Sequence, residues 1–275
     1  MKVPRLFAAL LLAAPLAWGA YVALMWWLQD AMVYPAPGVP LEQLEQSARQ
    51  LGFRSFQVQT TDGVELYGWH RPAEPDQRRL VIYLHGNGET VATNRPLQQL
   101  VHRSGHGFLT VAYRGYPGSG GTPTQDGLLR DAQAAWTYAT EDLGYAPEHI
   151  VLHGRSLGGA VAVALAAQTN PRAMVLESTF YSMLELAADH APLVPVQWLF
   201  RSPFETYLLA PRVGVPVLQM HSRDDGLIPV EHARRLSQRF AEVRYEEVGG
   251  HTHNEVLPAA HAGLQQAYLD FLRAD

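Results

Sequence analysis

Five residues, Gly154-Arg155-Ser156-Leu157-Gly158, constrain this chain more than any other stretch. Ahead of them, Ile150 to His153 is a short apolar run suited to a buried strand. Behind them, Leu157 to Gln168 is rich in Ala and Leu and free of Pro, as a buried helix would be. A strand that becomes a helix within so few residues forces the middle residue into a strained backbone conformation. Its neighbours can then carry almost no side chain. Such a turn holds the Ser156 hydroxyl above the end of a sheet. The helix starting at Leu157 points unpaired N–H groups and a positive dipole end at the same place, which suits an oxyanion. The expectation is a nucleophilic serine; the alternative is a structural tight turn using the same glycines.

The rest of the composition narrows the chemistry. At 275 residues there is room for one α/β domain and an appendage. A net charge of −5 without any basic block gives no sign of a nucleic-acid partner. The absence of cysteine removes disulfides, a thiol nucleophile and cysteine-ligated zinc. No cofactor is expected. The glycine-rich loop Tyr113 to Gly121 lacks the Lys-Ser/Thr ending of a phosphate-binding loop, and its Ser119 reads as a turn residue rather than a nucleophile.

The first 30 residues predict a membrane anchor. Lys2 and Arg5 precede an uncharged run from Leu6 to Leu28, about 23 residues, enough to cross a hydrocarbon core. Trp18, Tyr21, Trp26 and Trp27 lie toward its far end, as an interfacial belt would. A cleavable signal peptide is the alternative, with Ala17-Trp18-Gly19 a poor cleavage site. Positive charge before the span places the catalytic domain on the non-cytoplasmic side, periplasmic in a bacterium. Residues 31–40 then read as a Pro-rich linker and 41–275 as the main domain.

Within that domain, Leu41 to Leu51 has helical spacing, and Phe53 to Val58 and Val64 to Arg71 alternate as a hairpin around Asp62-Gly63. Strands are then expected at Leu80–Leu84, Phe108–Tyr113, Ile150–His153, Ala173–Glu177, Val217–His221 and Val243–Val248. Helices are expected at Val91–Arg103, Gly127–Leu143, Leu157–Gln168, Val230–Phe240 and Val256–Leu272. This alternation predicts an α/β fold, a mostly parallel sheet covered by helices on both faces, with ligands at the C-terminal strand ends. Residues 180–210 break the rhythm with Pro192, Pro195, Pro203 and several aromatics, and read as a short cap or a surface excursion with its own small core.

The loops at the strand ends supply partners for Ser156. His85-Gly86-Asn87-Gly88 is a candidate oxyanion loop, and the donors assigned are the backbone N–H groups of Asn87 and Leu157. In His221-Ser222-Arg223-Asp224-Asp225-Gly226, Asp225 is preferred over Asp224 as the carboxylate that orients a histidine. In Gly249-Gly250-His251-Thr252-His253, His251 is preferred over His253 because it directly follows the glycines. A metal site begun by His251 and His253 finds no third and fourth ligand at convincing spacing.

The order Ser156, Asp225, His251, together with Tyr113-Arg114-Gly115-Tyr116 and His221-x-x-x-Asp225-x-x-Ile228-Pro229, resembles an α/β-hydrolase over residues 33–275. More narrowly it resembles the membrane-anchored subgroup related to the fungal Bem46 proteins and the ABHD13/ABHD17-like hydrolases, with Tyr34-Pro35 after the anchor. Ser222 departs from the Gly usual there. The resemblance implies a serine hydrolase acting by acyl transfer on carboxylic esters of acyl or lipid-like character. An acyl-thioesterase and a serine peptidase of the aminopeptidase type are the enzymatic alternatives. A non-catalytic, membrane-tethered binding module is the alternative from another class.

Overall fold

Apolar runs too short for helices become strands here, and the runs without alternation become the central ones. The computed structural model describes residues 5–75, 79–257 and 262–274, and of residues 5–12 and 262 the backbone alone. Its strands are β1 (Arg54–Gln59), β2 (Glu65–Arg71), β3 (Leu80–Leu84), β4 (Gly107–Val111), β5 (Ile150–Arg155), β6 (Ala173–Glu177), β7 (Val217–Ser222) and β8 (Val243–Val248). They form one sheet in the order β1-β2-β4-β3-β5-β6-β7-β8. β1 and β2 pair antiparallel, as does β2 with β4, and every pairing from β4 to β8 is parallel. Strands β3 to β7 are buried at every residue, whereas the edge strands β1 and β8 are not. This is the pattern of a sheet with both faces covered.

The helices that cover it are α2 (Leu41–Leu51), α3 (Arg95–Arg103), α4 (Gln125–Thr137), α5 (Leu157–Ala166), α9 (Val230–Ser237) and α10 (Ala262–Arg273). Helix α3 starts four residues later than the sequence predicts. The Thr93 hydroxyl accepts from the Thr90 amide at 2.8 Å, so residues 90–93 close a turn that competes with the helix. Val256 and Leu257 likewise lie in a turn rather than a helix, and residues 258–261 fall outside the described residues. The insertion at 180–210 carries three short helices, α6 (Met183–His190), α7 (Val196–Leu199) and α8 (Thr206–Leu209). Tyr181 and Tyr207 stack at 4.4 Å across its base.

The chain runs from β3 outward to β4 and then returns to the other side of β3 as β5. Ligand crevices open at such reversals, beyond the C-terminal ends of the strands. The loops after β3 and β5 are those of Gly86 and Ser156.

One expectation is overturned. The N-terminal run forms helix α1 (Arg5–Val33), but no helix among the described residues is long and apolar enough to cross a membrane. The transmembrane helix, the membrane partner and the location inferred from them lose their basis. The last turns of α1 show why an apolar reading misleads. Gln29 is buried, donating to the Leu199 carbonyl at 3.3 Å and accepting from the Arg201 amide at 2.8 Å. Asp30 pairs with the Arg201 guanidinium. These turns bind the rest of the protein.

Candidate active site

Ser156 sits at φ 52° and ψ −118°, in the region L-residues avoid. The strain is of the order of 1–3 kcal/mol, and surrounding bonds must hold it. They do so from both sides. The Ser156 amide donates to the Glu177 carbonyl at 2.9 Å, and its carbonyl accepts from the Thr179 hydroxyl at 2.7 Å. The glycines leave no room for substitution. A Cβ on Gly158 would overlap the Leu84 carbonyl oxygen, and one on Gly159 the Thr179 hydroxyl. Gly158→Ala is therefore expected to destabilise the fold by about 3 kcal/mol, the upper range for overpacking a rigid site, read as a fall in the urea midpoint.

Asp225 is buried and fully engaged. One carboxylate oxygen accepts the Leu227 and Ile228 amides, both at 2.9 Å. The other lies 2.7 Å from His253 Nδ1 and 3.4 Å from His221 Nε2. Burial pushes this carboxyl up, but the histidine bond and the two amides outweigh it and hold it below the ordinary range. It is thus a carboxylate at neutral pH. Since a carboxylate only accepts, His253 carries its proton on Nδ1, and Nε2 is left as the basic nitrogen.

The structure thus brings Asp225 together with His253, not with the His251 expected from the sequence. The cause is visible in the loop. The Ser222 hydroxyl donates to the His251 carbonyl at 2.6 Å, and Asp224 accepts the Gly250 amide at 2.5 Å. Both clasps spend the first residues of the loop on closing it against β7, and the chain reaches over Asp225 two residues later. Asp224, the carboxylate not preferred for orienting the histidine, serves as one of these clasps. Ser222, the departure from the family pattern, serves as the other.

Arg155, inside the elbow, was not singled out by sequence. It pairs with Glu89 of the loop after β3 and donates to the Asn254 side chain beside His253. Glu89 in turn accepts the Gly86 amide at 3.0 Å and the Tyr83 hydroxyl at 2.9 Å. One guanidinium therefore links the elbow, the Asn87 loop and the histidine loop. A sequence signal exists: a cation between a buried strand and a buried helix must find a counter-charge. Arg155→Met, which leaves Glu89 buried without its partner, is expected to cost about 3–5 kcal/mol in chemical denaturation.

His85 is structural. Its Nδ1 faces the Gly86 carbonyl at 2.8 Å and its Nε2 accepts the Tyr113 amide at 3.3 Å, a neutral ring that burial pushes down to about 4. Ser119 is also occupied, donating to the Ala112 carbonyl at 2.7 Å and accepting the Tyr67 amide at 2.9 Å.

Ser156 and Asn87 line a cavity of ≈ 250 Å³ with Leu227 and Ile228, the residues that hold Asp225. Leu157 opens α5 directly behind the serine, so its N–H is one of those a helix start leaves without an intrahelical acceptor. The remaining walls are almost wholly apolar. Among the described residues, no lining side chain is acidic or basic apart from His190. Nor does any group of three or more His, Asp or Glu side chains there offer a metal site.

Residues 75–209 match the family "Serine aminopeptidase, S33". An uncharacterized protein of Mycobacterium tuberculosis is 33% identical over 236 residues, covering 85% of this chain and 83% of its own. Protein bem46 of Schizosaccharomyces pombe is 30% identical over 58% of this chain and 56% of its own. Among solved structures, the esterase Pf2001 of Pyrococcus furiosus superposes with a TM-score of 0.69 at 18% identity, over 82% of this chain and 94% of that one, a likeness of fold.

Proposed function

The chain belongs to the α/β-hydrolase superfamily, and we propose from its site that it is a serine hydrolase cleaving carboxylic esters through an acyl-enzyme on Ser156. In this reading His253 Nε2 takes the Ser156 proton as Oγ attacks the ester carbonyl carbon. Asp225 fixes the ring's tautomer and stabilises the imidazolium. The N–H groups of Asn87 and Leu157 receive the oxyanion, each contributing about 3 kcal/mol to the barrier reduction. The tetrahedral intermediate expels an alkoxide, which leaves as the alcohol with the proton from His253. Water, deprotonated by His253, then attacks the acyl carbon and releases the acid, and Ser156 regains its hydrogen.

The observation that carries ester over peptide is the lining of the cavity beside Ser156, with no carboxylate in it among the described residues. An aminopeptidase must receive a free ammonium next to the scissile bond, and an uncompensated ammonium in an apolar cavity is expensive. The family match keeps the peptidase reading in the test. Acyl thioesters share the acyl half of the substrate and belong there as well. A panel of p-nitrophenyl esters, acyl thioesters and aminoacyl p-nitroanilides is expected to give an ester-selective profile with an initial burst of p-nitrophenol. Higher kcat/KM on the aminoacyl anilides would overturn the ester assignment.

A further inference from the structure

Helix α1 occupies a place no tether needs. Counted from Val22, its protein-facing residues recur as Val22, Met25, Gln29 and Val33, which are half-buried or buried, while Trp27 on the opposite side is largely exposed. That spacing is one stripe of a helix. Met25, Met32 and Val33 line the same cavity as Ser156, facing Met183 and Leu186 of α6 and Leu199 of α7.

The helix is clipped there. Arg201, just past α7, pairs with Asp30, stacks over the Trp26 ring at 4.3 Å and donates to the Trp26 carbonyl at 3.2 Å. Its amide donates to the buried Gln29 side chain, and the Tyr34 hydroxyl donates to Ser202 at 2.8 Å. Farther along, the Trp18 indole donates to the Leu193 carbonyl at 2.8 Å. The contacts run from residue 18 to residue 34, so α1 and the insertion form one roof over the serine.

We propose that α1 is a wall of the acyl-binding pocket, and that Met25 sets how long an unbranched acyl chain the enzyme accepts. This rests on the serine-esterase reading above. The occupant follows from the lining: a mostly apolar cavity with Ser156 and Asn87 at one place in its wall, and Gln29 and His190 as its other polar side chains among the described residues, fits a hydrocarbon tail whose carboxyl carbon lies at the serine. Methionine suits such a wall because its unbranched thioether adapts to a flexible chain. Burying each further methylene against this wall is worth about a fourfold gain in kcat/KM until the trough is full.

The test compares kcat/KM for p-nitrophenyl acetate, octanoate and dodecanoate in the full-length wild type, Met25→Trp and Met25→Ala. Met25→Trp narrows the trough, and the octanoate-to-acetate ratio is expected to fall about tenfold or more, the loss of a few methylene contacts. Met25→Ala widens it, and the dodecanoate-to-octanoate ratio is expected to rise. Should Met25→Trp fail to fold, the Met25→Ala ratio decides alone. Ratios equal to those of the wild type would overturn the proposal while leaving a Ser156-dependent esterase intact. A wild type without ester turnover would instead remove the reading on which it rests.

Discussion

His253→Ala is expected to lower kcat/KM for acyl esters by about 10⁴-fold or more, whereas His251→Ala should cost at most about tenfold. The two histidines are one residue apart and differ in what holds them. His253 presents Nδ1 to the Asp225 carboxylate at 2.7 Å. The contact that seats His251 against β7 is made by its backbone carbonyl, bonded to Ser222, and an alanine keeps that carbonyl. In the proposed mechanism His253 is the base of both half-reactions, so its removal should lower acylation and deacylation together. Steady-state kinetics on a single ester, with circular dichroism to verify folding, separates the two variants. A larger loss in His251→Ala would return the role of base to the residue the sequence favours.

Ser156→Ala is expected to remove turnover to the level left by the oxyanion donors alone, a fall of about 10⁴–10⁶ in kcat. Stability should change by less than about 1 kcal/mol. Alanine carries the same Cβ into the same positive φ, so the strain is unchanged, and the backbone bonds to Glu177 and Thr179 involve no serine side-chain atom. The combination of lost activity and retained urea midpoint is what distinguishes a nucleophile from a structural turn residue. A variant that keeps its turnover would leave Ser156 as only a tight turn.

The central strands are legible in the sequence because burial on both faces leaves mostly apolar runs, and the half-exposed edge strand β8 because the glycines after Val248 end it. Leu80–Leu84, Ala173–Glu177 and Val243–Val248 are expected and found with identical bounds. The elbow is legible for a related reason: Gly154 and Gly158 each sit where a Cβ would meet backbone, and no other residue fits. The histidine is not legible. Choosing between positions 251 and 253 requires knowing that Ser222 and Asp224 fasten the loop before it crosses Asp225, and those contacts join segments some 26–29 residues apart. Arg155 hides for the same reason, since its partners Glu89 and Asn254 lie on other loops. Helix α1 misleads through composition. An apolar stripe facing a pocket and one facing lipid use the same side chains, and only the buried Gln29 and paired Asp30 mark the protein-facing alternative.

The measurement that bears most directly on the proposed mechanism is peptide mapping after reaction with a fluorophosphonate. A single adduct on Ser156, formed quickly in the wild type and far more slowly in His253→Ala, is the result expected of a serine activated by that imidazole. An adduct on any other side chain, or labelling of Ser156→Ala at the wild-type rate, would contradict it.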